Sequence, residues 1–352
     1  MPLLARMVTT PLAIEVRRGA IAELGEILAD RRISAGGDVA VVVGPGQGKA
    51  LAEAIRPSLD RAEVHHIVGG TLEAALDLGD KLASGGYDAV VGIGGGKTLD
   101  TAKYAASRYG LPMVSVPTSL AHDGIASPVA TLDHNGARPS YGVNIPIAVV
   151  VDLEYIAAGP KRQTRSGIGD ALSNLNAVAD WELAHAVLGE PIDGLAVALA
   201  RSSAEALLHH PGTIADDDFL TTLAEALIMG GIAMAVCGSS RPCSGGCHEI
   251  SHALDQIARD VGTHGEQVGM GALLCTFLRG DMERFAALSA CMKRHGLPRV
   301  PADLGLPEER FVAAVLEAPA TRPGRYTILE HLDLSPEQAR QRIKEYIDAV
   351  SG

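Results

Sequence analysis

Val90-Val91-Gly92-Ile93-Gly94-Gly95-Gly96-Lys97-Thr98-Leu99-Asp100 is the stretch on which the fold turns. An aliphatic run empties into three consecutive glycines, and a segment of helical character follows at once. A continuous apolar run that stops at turn residues is the pattern of a strand buried on both faces. Glycines at its end let the backbone approach a phosphate closely, and the helix that follows offers free N–H groups and a partial positive charge. The same stretch also fits a tight turn that holds no ligand. Two familiar phosphate loops nearly match. G-x-x-x-x-G-K-[ST] needs a glycine five positions before Gly96, where Val91 stands. G-x-G-x-x-G fits at Gly92 and Gly94 but meets Lys97 in place of its third glycine. A dinucleotide pyrophosphate remains the best physical reading of this loop.

The segments on either side repeat the theme. Residues 38–43, 64–68, 88–93, 112–116 and 145–151 read as strands. Helical stretches at 48–59, 71–84 and 98–109 lie between them, with glycine-rich turns such as Gly44-Pro45-Gly46 and Gly69-Gly70. Such alternation predicts an α/β fold, a parallel sheet with helices on both faces. After Pro160 the β-branched runs vanish. Ala/Leu-rich segments with helical spacing appear at 169–188, 194–209, 219–236 and 268–278, and Ser335-Pro336-Glu337 opens a last helix. The expectation is an α/β dinucleotide-binding domain over residues 1–162 and an all-helical domain over residues 163–352.

Composition narrows the class. A chain of 352 residues has room for two domains, and 47% hydrophobic with 20% charged residues is globular composition. Aromatics at 3% argue against stacking platforms for single-stranded nucleic acid. A net charge of −12 disfavours nucleic acid and anionic membranes as partners. Five cysteines without a C-x-x-C pair predict free thiols in a reducing compartment. The first ten residues carry no apolar signal core, and no uninterrupted apolar run has membrane-spanning length. A cytoplasmic protein with no membrane insertion is expected.

Chemistry-bearing residues cluster in a few places. Pro117-Thr-Ser-Leu-Ala-His-Asp-Gly-Ile-Ala-Ser-Pro128 follows the fourth strand, so Thr118, Ser119, Asp123 and Ser127 fall at the carboxyl edge of the sheet, where ligands of such sheets bind. Ordinary turn chemistry is the alternative for each. In the helical half, Asp170 reads as an acid at the start of a long helix, with capping as the alternative. His248 and His252 are four apart and share a helix face, Gly245-Gly246 precede them, and His264 stands at another helix start. One aspartate and two histidines leave an open position on zinc or ferrous iron for a substrate oxygen. A hydrogen-bonded histidine pair without metal is the alternative.

Together these pieces resemble the iron-containing alcohol dehydrogenase superfamily, which includes glycerol dehydrogenase and dehydroquinate synthase. Within it the chain is most similar to the sn-glycerol-1-phosphate dehydrogenase family. The motifs that carry the resemblance are Gly94 to Asp100, Pro117 to Pro128, Gly167-Ile-Gly-Asp170, Ser251-His252-Ala-Leu-Asp255 and His264-Gly-Glu266. The resemblance implies a dehydroquinate-synthase-like fold and a homo-oligomer. By it, Gly94, Gly95, Gly96, Lys97, Thr98, Asp100, Thr118, Ser119 and Ser127 hold NAD(P)H. Asp170, His248 and His264 bind a divalent ion, usually zinc in this branch, with Fe2+ or another ion as the alternative. Asp123 and His252 are the catalytic residues that meet substrate. The implied reaction is reduction of dihydroxyacetone phosphate, or of a related polyol phosphate or ketone, and its reverse. Cys247 departs from the family pattern, in which an acid commonly precedes the first metal histidine, and this bears on the substrate pocket. Two other readings remain: a dehydroquinate-synthase-like cyclase using NAD transiently, whose first ligand is typically Glu where this chain has Asp170, and a non-catalytic nucleotide-binding protein.

Two finer expectations concern specificity. Arg241, just upstream of the His248 helix, is the candidate phosphate reader. The turn after residue 43 carries no acid to repel the extra phosphate of NADP, and Lys49 follows it, so both cofactors should be used and Gly44→Asp should favour NADH.

Overall fold

In the computed structural model residues 8–55, 59 and 61–351 are described, with the side chains of residues 47 and 49 outside that set. The chain divides into two compact units, one ending at Pro160 and one beginning at Lys161.

The first unit is built on strands β1 (Ala13–Arg17), β2 (Val39–Val43), β3 (Ala62–His66), β4 (Ala89–Gly94), β5 (Met113–Pro117), β6 (Val129–Thr131), β7 (Ser140–Gly142) and β8 (Ala148–Asp152). Six of them form a sheet in the order β1-β8-β5-β4-β2-β3, parallel at every pairing, and β6 and β7 make a separate antiparallel ladder. Val41, Val43, Val91, Ile93, Val114, Val116 and Val150 pack one side of the sheet into a dry aliphatic core. Strands β2, β4, β5 and β8 are buried along their whole length, which is why their sequences are continuous apolar runs. The strand order reverses between β2 and β4, and the crevice beyond their carboxyl ends is the topological switch point of the sheet. Gly44 and Gly94 stand at those two ends, with Gly94 opposite Pro117 of β5.

The second unit is helical. Its long helix, Lys161–Leu188, begins eight residues before the expected 169, so Asp170 lies in its interior and not at its start. Glycines there serve packing. A Cβ on Gly169 would overlap the Gly265 carbonyl oxygen, and one on Gly265 would overlap that of Ser166. Bare backbone on both sides lets the helix His264–Arg279 cross Lys161–Leu188 closely, which brings His264 to Asp170. The start of the crossing helix is fixed by a capping box between Thr263 and Glu266, and Arg162 holds Glu266 through a bidentate pair at 2.9 and 2.7 Å. The helix Asp217–Cys237 is long and apolar enough to cross a membrane, but two thirds of its apolar window (67%) is buried within the unit, as in a core helix.

The C-terminal residue of the helix Met282–His295 carries a pH dependence. His295 stacks on Phe219 with ring centroids 4.6 Å apart, and its Nε2 accepts from Arg294 Nε at 3.3 Å. Burial first, then the charges of Arg294, Arg165 and His210, lower its pKa from the usual 6.5 to about 4. A ring held neutral in the fold contributes stability that is present above pH 6.5 and is lost as pH falls through about 4. His295→Phe, which keeps a stacking ring without a titrating nitrogen, is expected to lose less stability than wild type across that window in urea unfolding. Parallel losses in the two proteins would contradict this.

Candidate functional site

In the first unit, the glycines of the 94–96 turn have separate jobs. A Cβ on Gly94 would come within 2.7 Å of the Thr98 side chain, and one on Gly96 would overlap the His122 ring. Gly95 faces open space, with only Ser119 Oγ near its Cβ position at 3.6 Å. The helix Gly96–Arg108 starts here with no side-chain cap, so its first N–H groups remain available to an anion. Thr118 is tied to the turn by its N–H to the Gly94 carbonyl at 3.0 Å. Lys97 is exposed, with its ammonium 3.9 Å from Asp133.

Asp100 and Ser127 are turned inward. Asp100 pairs with the buried Lys103 at 3.0 Å and accepts from the Thr131 N–H at 3.1 Å. Lys103 donates in turn to the carbonyls of Gly124, Ser127 and Val129 at 2.8, 3.3 and 2.5 Å. This buried ion pair clamps the 122–129 segment that presents Asp123. Burial raises the Asp123 carboxyl to about 6 against the opposing charge of Lys103. Lys103 drew no attention in the sequence, because a lysine in a helix usually points to solvent.

Gly44 does not admit the substitution considered from the sequence. Its Cβ would overlap the Thr98 hydroxyl, so an aspartate there disturbs the glycine turn itself. Pro45, exposed at the same strand end, is the better site. The Lys49 side chain lies outside the described residues.

In the second unit, Asp170, His248 and His264 offer donor atoms that all lie within 4.8 Å of one another. His264 Nε2 is 3.5 Å from Asp170 Oδ1, and the two imidazoles meet edge to face with centroids 5.1 Å apart. Burial, followed by the charges of His264, His252, Arg322 and Arg325, holds His248 well below the usual histidine range, so its ring is neutral and has a lone pair to give. The tautomer of His264 is set from behind. Ser251 Oγ donates to Gln267 Oε1 at 2.6 Å and therefore accepts from His264 Nδ1 at 3.4 Å, so Nε2 is the ring nitrogen turned to Asp170. A carboxylate and two imidazoles so oriented fit a divalent ion such as zinc or ferrous iron. None of the five cysteines is in a disulfide, and burial pushes the Cys247 thiol up to about 12, so it is no thiolate ligand.

His252 sits one turn beyond His248 in the helix Gly246–Ile257, and its Nε2 accepts from Arg322 Nη2 at 3.1 Å. Arg241 is not at hand for a substrate. It is 5% exposed, it makes a two-point ion pair with Glu190, and Nη1 donates to the Tyr326 carbonyl at 3.0 Å. Its charge is spent inside the fold, which corrects the expectation that it reads phosphate. The arginines that face the histidines, Arg322 and Arg325, come from a segment more than 70 residues away in sequence from His248, so spacing gave no hint of them.

A switch-point glycine turn on a parallel sheet, followed by a helical unit with an Asp-His-His cluster, defines the iron-containing alcohol dehydrogenase class. The family model described as iron-containing alcohol dehydrogenase matches residues 15–160. Over 344 residues the chain is 36% identical to the glycerol-1-phosphate dehydrogenase [NAD(P)+] of Staphylothermus marinus, covering 96% of this chain and 97% of that one. It is 35% identical to the protein of the same name in Methanospirillum hungatei, covering 97% and 94%. The chain belongs to the glycerol-1-phosphate dehydrogenase family. The crystal structure of glycerol dehydrogenase from Schizosaccharomyces pombe shares the fold, with a TM-score of 0.80 at 22% identity over 99% of this chain and 91% of that one.

Proposed function

We propose that this chain is an NAD(P)H-dependent, metal-dependent reductase that converts dihydroxyacetone phosphate to sn-glycerol 1-phosphate and runs the reverse oxidation. The convergence of Asp170, His248 and His264 carries this reading, in a chain that matches glycerol-1-phosphate dehydrogenases over nearly its full length. A divalent ion such as zinc bound there would supply polarisation of the ketone oxygen, and a reduced nicotinamide would supply hydride. The protein supplies the rest. Asp170, His248 and His264 would hold the ion, and Ser251 with Gln267 would keep His264 Nε2 turned to it. Gly95 and the uncapped helix start after it receive the pyrophosphate, with Lys97, Thr98, Thr118 and Ser119 around them. Asp100, Lys103 and Ser127 act from beneath by fixing the segment that carries Asp123. His252 accepts from Arg322 at Nε2, which leaves Nδ1 to carry the ring proton, and this reading gives it the exchange of a proton with substrate.

The test is turnover with dihydroxyacetone phosphate and with glyceraldehyde 3-phosphate, dihydroxyacetone and maleylacetate as competitors, on zinc-loaded and iron-loaded protein, followed by stereochemical analysis of the product. The expected product is glycerol phosphate of a single hand from dihydroxyacetone phosphate as the best substrate. A better rate with any unphosphorylated ketone would overturn the substrate assignment.

Cofactor choice follows from the β2 turn. No acid stands at Gly44-Pro45-Gly46 to repel a 2′-phosphate, so kcat/KM for NADH and NADPH should agree within about 100-fold. Pro45→Asp is expected to shift the ratio toward NADH by about tenfold, on the order of 1.4 kcal/mol. An unchanged ratio would mean the ribose is read elsewhere.

A further inference from the structure

We propose that Arg322 and Arg325 together form the cradle for the phosphate of the substrate, an assignment that rests on the reductase reading above. Both lie at and just beyond the end of the helix Glu308–Thr321. Arg322 Nη1 and Arg325 Nη2 converge on one hydroxyl, Ser240 Oγ, at 3.4 and 3.1 Å, and Arg325 Nη1 donates to the Ser244 carbonyl. Arg322 Nη2 reaches His252 Nε2 at 3.1 Å. All their protein acceptors are therefore neutral.

Two other largely buried arginines of this unit differ: Arg241 is paired with Glu190, and Arg279 with Asp180. Among the described residues Arg322 and Arg325 have no carboxylate within ion-pair distance. The acids whose charge they do feel are committed: Glu190 to Arg241, and Glu249 to the Thr327 hydroxyl at 3.1 Å. Burial and mutual repulsion lower Arg325 to about 10, and burial lowers Arg322 as well.

Two guanidiniums held together with no carboxylate within ion-pair distance are costly unless an anion joins them. A phosphate monoester is the anion that matches their paired forks. The position suits the chemistry: Arg322 touches His252, one turn from His248 in the helix Gly246–Ile257. In an enzyme with net charge −12, this local excess of positive charge is a selective device for a phosphorylated ketone.

The experiment compares kcat/KM for dihydroxyacetone phosphate and dihydroxyacetone in metal-loaded wild type, Arg322→Gln and Arg325→Lys, and measures binding of inorganic phosphate to each by calorimetry. The preference for the phosphorylated ketone is expected to fall about 30-fold or more in Arg322→Gln, mainly through KM, as for loss of a charge-assisted contact. Arg325→Lys keeps the charge but loses the fork, and it should fall by a smaller factor; it also serves if Arg322→Gln does not fold. Phosphate affinity should drop in parallel. An unchanged preference and unchanged phosphate binding in both folded variants would overturn the cradle. Wild type that binds phosphate through these arginines yet reduces no dihydroxyacetone phosphate would instead overturn the reductase reading.

Discussion

His264→Ala is expected to lose its divalent ion and to lower kcat/KM for dihydroxyacetone phosphate by about 1000-fold or more, on the order of 4 kcal/mol of transition-state stabilisation. The side chain is one of three whose donor atoms converge within 4.8 Å, and two donors on their own make a weak site. Its backbone position is secured independently, by the Thr263–Glu266 capping box and the Gly265 N–H to Ser166 Oγ at 3.1 Å, so the fold should survive. Asp170→Asn and His248→Ala should behave alike. Ser251→Ala removes only the group that fixes the His264 tautomer and should weaken metal binding by about tenfold. Metal content per chain, measured with thermal unfolding as the control, decides the matter. Full occupancy in folded His264→Ala would remove that residue from the ligand set.

The largest stability effect is expected at Asp180. This fully buried carboxylate accepts four hydrogen bonds: from Gly246 N–H at 2.8 Å, Ile328 N–H at 2.8 Å, Asn176 Nδ2 at 3.0 Å and Arg279 Nη2 at 2.8 Å. It thereby anchors the first turns of two helices, Gly246–Ile257 and Ile328–Leu332, and neutralises a mostly buried arginine. Asp180→Ala strands the guanidinium and both N–H groups, and should cost about 3–5 kcal/mol of unfolding free energy. Because one of those helices carries His248, metal affinity should fall with it. Chemical denaturation checks the first effect and metal titration the second. A loss below about 1 kcal/mol would mean the network is replaceable.

The contrast between Asp180 and the histidines shows what a sequence makes legible. His248 and His252 announce themselves by lying four apart, and His264 by standing between Gly262 and Gly265 at a helix start. Asp180 looks like any acid in a long helix, since the partners that give it meaning lie 66, 99 and 148 residues away. The same physics misdirected the reading of Arg241. Proximity in sequence to His248 suggested a substrate contact, but Glu190, 51 residues upstream, neutralises it, and Arg322 and Arg325 arrive from the far end of the unit. Among the strands, the four buried on both faces were plain as aliphatic runs, and β3 was found despite its edge position with a shift of two residues. The edge strand β1, Ala-Ile-Glu-Val-Arg, and the three-residue strands β6 and β7 were missed, because half-exposed or very short strands bury too little to leave a pattern. The early start of the helix Lys161–Leu188 was hidden by Gly167 and Gly169, which read as breakers but serve a close helix crossing.

Net reduction of a ketone consumes one reduced nicotinamide per substrate, whereas transient use of the cofactor consumes none. Metal-loaded protein given limiting dihydroxyacetone phosphate and excess NADPH is expected to oxidise one cofactor per substrate consumed, and to stop when the metal is chelated. Substrate consumption with no net change in the reduced-nicotinamide absorbance would instead identify a cyclase that uses the cofactor transiently, and would contradict the account.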